Sequence, residues 1–93
     1  MKKILVVEDD PNINQLLQLH LQDEGYEVEV CDHGGMGFER ASKQDLDLIV
    51  LDVMLPEMNG IHICQRLRAL VIFTPILMLT ATTVELDKVI GLE

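Results

Sequence analysis

The stretch 46–60, Leu-Asp-Leu-Ile-Val-Leu-Asp-Val-Met-Leu-Pro-Glu-Met-Asn-Gly, constrains the fold more than any other part of the chain. Its centre, Leu48, Ile49, Val50 and Leu51, is apolar without alternation. That is the pattern of a strand covered on both faces, and such strands belong to parallel sheets flanked by helices. The run ends on a carboxylate, Asp52. Pro56 removes a backbone donor and Asn59-Gly60 is turn chemistry, so the chain leaves the sheet within a few residues. Asp52 is therefore expected at the carboxyl end of its strand, where open α/β sheets bind ligands.

The rest of the chain alternates in the same way. Residues 4–7 read as a short buried strand, stopped by Glu8-Asp9-Asp10-Pro11, with Asp10 a helix cap and Pro11 at the first helical position. Ile13, Leu16, Leu17 and Leu21 then recur at helical spacing until Gly25. Residues 26–31 alternate, Val28 and Val30 against Glu27 and Glu29, as an edge strand does. A shorter amphipathic helix is expected over 34–42 through Met36, Phe38 and Ala41, and a third helix through Ile61, Cys64 and Leu67. Thr74-Pro75 opens a fourth strand at 76–79, followed by Thr80-Ala81-Thr82-Thr83 and a fourth helical pattern from Val84 through Leu86, Val89 and Ile90. Strand and helix in turn imply βαβ units with right-handed crossovers, a doubly wound α/β sheet with helices on both faces. The stretch 69–73, Ala-Leu-Val-Ile-Phe, is apolar where a polar connection is ordinary, so it either extends the third helix's buried face or forms a contact surface.

Composition narrows the function. With 93 residues, 48% of them hydrophobic, the chain is expected to form one small globular domain over 1–93. Sixteen acidic residues against 7 basic give a net charge of -9, a surface that repels nucleic acid and anionic membranes, so direct binding to either is not expected. No apolar run is long enough for a signal peptide or a membrane span. Cys31 and Cys64 show no metal-site spacing and read as packing residues in a reducing cytoplasm. His20, His33 and His62 are scattered and suggest no zinc site.

In a parallel sheet Glu8 and Asp9, Asp52 and Thr80 all fall at one edge. Gathering carboxylates there is costly unless a cation or protons neutralise them, and an all-oxygen donor set points to Mg²⁺ or Mn²⁺. Capping a helix needs only one of the three acids at 8–10.

These residues carry a resemblance. The segment Ile-Leu-Val-Val-Glu-Asp-Asp-Pro at 4–11, Asp-Val-Met-Leu-Pro-Glu-Met-Asn-Gly at 52–60, and Leu-Thr-Ala at 79–81, in that order, resemble the receiver domain of bacterial two-component response regulators. The Met-Leu-Pro after Asp52 is similar to regulators that carry a winged-helix DNA-binding output domain. The resemblance implies a flavodoxin-like, CheY-like fold and a phosphorelay function in transcription regulation, in a phosphoacceptor domain rather than an enzyme. It makes Asp52 the phosphoacceptor, supplied by a sensor histidine kinase. Glu8, Asp9, Asp52 and the Met54 backbone carbonyl would hold Mg²⁺. Thr80 would bond a phosphoryl oxygen and Ala81 would leave room for it. A receiver also has a fifth strand, a lysine before a proline, a switch aromatic and a fifth helix. None of these occurs up to Glu93, so the expected fold is incomplete at its carboxyl end, with the fourth strand a bare edge and self-association to follow.

Two other chemistries fit less well. An aspartyl phosphohydrolase of the haloacid dehalogenase type wants Asp-x-Asp after the strand, and two residues after Asp52 stands Met54. A flavodoxin-like nucleotide binder needs a phosphate loop after the first strand, where Glu8-Asp9-Asp10 would repel phosphate. The remaining alternative is an interaction module that is never phosphorylated, and the intact acidic site argues against it.

Overall fold

The computed structural model describes residues 1–79 and the backbone of 84–90. The elements are β1 (Lys3–Val7), α1 (Pro11–Asp23), β2 (Glu27–Cys31), α2 (Gly34–Ala41), β3 (Leu48–Asp52), α3 (Gly60–Ala69), β4 (Ile76–Leu79) and β5 (Val84–Ile90). They form one sheet in the order β2-β1-β3-β4-β5. The first four strands are parallel, and β5 runs antiparallel to β4.

Alternation along the strands splits the core into two layers. Leu5, Val7, Ile49 and Leu51 face α2 and α3, meeting Ala41, Ile63, Cys64 and Leu67. Ile4, Val6 and Val50 face α1, meeting Leu17 and Leu21. The winding direction reverses after β2 and the connecting helix changes face with it, which is what crossovers of one hand require. The reversal opens a crevice between the carboxyl ends of β1 and β3, the place where such sheets hold ligands.

Two expectations fail at the end of the chain. The helical pattern from Val84 is a strand, β5, with Leu79 paired to Val84, Leu77 to Val89 and Ile76 to Ile90. Val84, Leu86 and Ile90 also fall at even spacing, with Lys88 between them, and the pairing shifts register between Leu77 and Leu79. The β-branched Val84, Val89 and Ile90 favour the pleated form once an unpaired edge of β4 is available to bond. That pairing also removes the bare edge expected for β4. Thr80 and Ala81 lie outside the described residues.

On α1 the apolar face is narrower than its spacing suggested. Leu17 and Leu21 pack on the sheet, while Ile13 and Leu16 are exposed. The two cysteines are buried and free, as packing residues.

Candidate functional site

Strand pairing, two helix caps and one close approach build the crevice. The ladder between β1 and β2 continues one step past the strands, with the Glu8 N–H donating to the Cys31 carbonyl at 3.0 Å. The same happens between β3 and β4, where the Val53 N–H donates to the Leu79 carbonyl at 3.0 Å. Glu8 and Asp52 are thus fixed by sheet geometry, not by loops. Asp10 caps α1, accepting the Asn12 N–H at 2.9 Å, so the capping role falls to one acid and leaves the other two for chemistry. On the other side Asn59 caps α3 by accepting the His62 N–H at 2.8 Å. A side chain at Gly60 would strike the Asp52 carbonyl, which makes glycine obligatory there by close approach.

Glu8, Asp9 and Asp52 come together, each offering a carboxylate oxygen within 4.8 Å of the others. Glu8 and Asp52 are buried and Asp9 is exposed. Glu8 Oε2 accepts the Asp10 N–H at 2.9 Å, and Asp52 Oδ1 accepts the Met54 N–H at 3.1 Å, so both carboxylates are oriented by backbone donors. Burial is the largest influence on Glu8. With the neighbouring Asp9 and Asp52 it outweighs the Asp10 amide and pushes the carboxyl up to about 7. A carboxyl raised this far by burial, beside two further acids, is a site short of positive charge. An all-carboxylate donor set of this kind fits a hard divalent cation.

Sequence reasoning overlooked two supports. Asn14, buried on α1, donates from Nδ2 to the Glu8 carbonyl at 2.6 Å and ties the helix to the acidic turn. Its signal was an asparagine one turn after the cap Asp10, where an apolar residue would be ordinary for a sheet-facing position. The second is a clamp on the loop after β3. The Gly34 N–H donates to the Pro56 carbonyl at 3.1 Å, and a side chain at Gly34 would run into the Met58 carbonyl. The pair Gly34-Gly35 after a capping histidine was the available hint.

A doubly wound α/β sheet with three carboxylates at its switch point defines the class, and comparison with known proteins agrees. The model of the response regulator receiver domain matches residues 4–93, and the chain belongs to that family. It is 50% identical over 92 residues to the alkaline phosphatase synthesis transcriptional regulatory protein PhoP of Bacillus subtilis (strain 168), covering 99% of this chain and 38% of that protein. It is 43% identical over 93 residues to the response regulator ArlR of Staphylococcus saprophyticus, covering 100% of this chain and 42% of that one. The chain therefore spans about 40% of the length of the curated relatives it matches. Among solved structures, the receiver domain of the Francisella response regulator 1452 matches with a TM-score of 0.84 at 31% identity, over 87% of this chain and 67% of that one. The response regulator TrrA of Thermotoga maritima, in complex with Mg²⁺ and BeF, matches with a TM-score of 0.81 at 37% identity, over 87% and 70%. Among the described residues no helix is long and apolar enough to cross a membrane.

Proposed function

We propose that Asp52 accepts a phosphoryl group from the phosphohistidine of a sensor histidine kinase, and that the charge gained there regulates an output, transcription in the whole protein. The observation that carries this reading is the convergence of Glu8, Asp9 and Asp52 within 4.8 Å. In the transfer an Asp52 oxygen forms a bond to phosphorus as the phosphorus–nitrogen bond of the donor breaks, and the departing imidazole takes a proton. The Met54 N–H on Oδ1 holds the carboxylate in one orientation during the attack. Glu8, Asp9, Asp52 and the Met54 carbonyl would hold Mg²⁺. When bound, the ion screens the repulsion between an anionic nucleophile and an anionic donor and orients the phosphoryl oxygens. Thr80 and Ala81 lie outside the described residues; the resemblance would have the Thr80 hydroxyl bond a phosphoryl oxygen and the small Ala81 leave room for it. The acidic edge keeps nucleic acid and anionic membrane away from the site, and free buried cysteines suit the reducing cytoplasm in which such a kinase works.

The test is direct. The chain is incubated with a small phosphodonor, with Mg²⁺ and with chelator, and its intact mass is measured. One added phosphoryl group in the presence of Mg²⁺, absent with chelator and absent in Asp52→Asn, is the expected result. Equal labelling of Asp52→Asn, or none in either protein, contradicts it.

A further inference from the structure

The turn that leads from the crevice into α3 carries a chemical weakness that its packing imposes. The helix needs an acceptor at its cap, and Asn59 supplies one, its Oδ1 taking the His62 N–H at 2.8 Å. The next residue is buried and lies so close to β3 that a side chain would strike the Asp52 carbonyl, so glycine alone fits at position 60. Together the two demands write Asn-Gly. In that pair the glycine nitrogen, unhindered by a side chain, can attack the side-chain amide before it. The nitrogen gives up its proton and bonds to Cγ, ammonia leaves, and water opens the cyclic imide that results. Opening at one carbonyl gives aspartate. Opening at the other gives isoaspartate, in which the main chain runs through the former side chain and is one carbon longer. Asn12 and Asn14 precede Ile13 and Gln15, whose side chains hinder the same attack.

Neither partner is free to react in the folded chain. The Gly60 N–H donates to the Val53 carbonyl at 3.0 Å, so losing its proton there would set an anionic nitrogen against a carbonyl oxygen. The Asn59 amide is held on the His62 N–H. Asn59 itself is exposed, so base and water reach the pair once those two bonds open. What must lift is the loop between β3 and α3, pinned by the Val53 N–H on the Leu79 carbonyl at 3.0 Å, the Met54 N–H on Asp52 Oδ1 at 3.1 Å and the Gly34 N–H on the Pro56 carbonyl at 3.1 Å. A loop held by a few hydrogen bonds near the surface opens at a free energy well below that of global unfolding.

We propose that Asn59-Gly60 is a self-modification site gated by the loop between β3 and α3, inert while the Gly60 N–H is on Val53 and deamidating whenever the loop opens. The product decides the outcome. Aspartate at 59 keeps an oxygen for the His62 N–H and adds a negative charge at the amino end of α3, where the helix dipole favours one, so the helix stays capped. Isoaspartate lengthens the chain between the Val53 carbonyl and α3, so the cap and the bond from Gly60 to Val53 no longer form together. The wall of the crevice beside Asp52 is then lost for good. The proposal does not depend on the phosphoacceptor reading, since it needs only the turn.

The opening that exposes the Gly60 nitrogen to exchange is the one that exposes it to attack, which makes the test quantitative. The chain and a peptide of residues 53–66, too short to hold a helix alone, are aged side by side, with deamidation at 59 followed by peptide mass spectrometry. Hydrogen exchange on the chain gives the protection of the Gly60 N–H. The folded chain is expected to deamidate at least about tenfold more slowly than the peptide, by a factor that matches the Gly60 protection to within about threefold. Gly34→Ala, which loosens the hold on Pro56, is expected to lower both factors together at temperatures where it remains folded, and keeps the comparison readable if the wild type ages slowly. Of the separated products, the aspartate form should melt with Asn59→Asp and close to the wild type, and the isoaspartate form lower. Deamidation of the folded chain at the peptide's rate overturns the proposal. So does a slowing that departs from the Gly60 protection by about tenfold in either direction, or an isoaspartate form as stable as the wild type.

Discussion

Replacing Glu8 by glutamine should make the metal-free protein more stable, and by an amount that depends on pH. Glu8 is 4% exposed, and its carboxyl is pushed from 4.5 up to about 7, first by burial and then by its acidic neighbours. Below about pH 4.5 the group is protonated in both the folded and the unfolded chain and adds no pH dependence. Between that value and about 7 the unfolded chain releases the proton while the folded one keeps it, so folding loses free energy as pH rises. At roughly 1.4 kcal/mol for each pH unit the loss reaches about 3 kcal/mol above pH 7. Glutamine keeps an oxygen for the Asp10 N–H and carries no charge, so the variant escapes the loss. Urea unfolding in chelator should therefore give equal stabilities near pH 4.5, with the variant ahead by about 3 kcal/mol near pH 8. With Mg²⁺ the order should reverse at high pH, since the wild type then gains a neutralising partner that the variant binds poorly. If the separation between the two proteins in chelator is the same at both pH values, Glu8 is not the buried charge described here.

Other perturbations test other joints. Gly34→Ala forces a side chain against the Met58 carbonyl and should cost roughly 1–3 kcal/mol; an unchanged melting temperature would show that the clamp on the loop after β3 yields freely. Arg40 binds Glu29 at 2.5 Å and Asp45 at 2.7 Å, joining α2 to β2 and to the approach to β3, so Arg40→Ala should destabilise by roughly 1 kcal/mol. Arg40 holds the Glu29 carboxyl below its ordinary value, so this stabilisation is present above the unfolded value and should fade as pH falls through the folded one, read by urea unfolding. Asn14→Leu removes the donor to the Glu8 carbonyl and should weaken Mg²⁺ binding more than it lowers the melting temperature, measured by metal titration beside thermal unfolding.

Most of the fold was legible because the strands announce themselves by period. The unbroken run 48–51 could only be a doubly covered strand, and β2 showed its edge position in Glu27 and Glu29. The carboxylate site was legible because strand ends in a parallel sheet share one edge, so Glu8, Asp9 and Asp52 could be brought together without coordinates. What escaped has physical reasons too. Residues 84–90 set β-branched residues within a helical spacing, and the choice between helix and strand lies in pairing with β4, a tertiary term. Asn14 and Gly34 act by close approach and single hydrogen bonds, which leave almost no trace in a pattern of polar and apolar residues. The left-handed Val71 was invisible for the same reason, although the apolar stretch around it was not.

The central claim is that Asp52 is the atom-level acceptor at a metal-dependent site. Borohydride reduces an aspartyl phosphate to homoserine, so treating the chain with a phosphodonor and Mg²⁺, reducing it and sequencing its peptides by mass spectrometry reads the acceptor directly. The expected result is homoserine at position 52 alone, abolished by chelator and by Asp9→Asn. Conversion at Asp9 or Glu8, or conversion at Asp52 that is indifferent to the metal, would contradict the account.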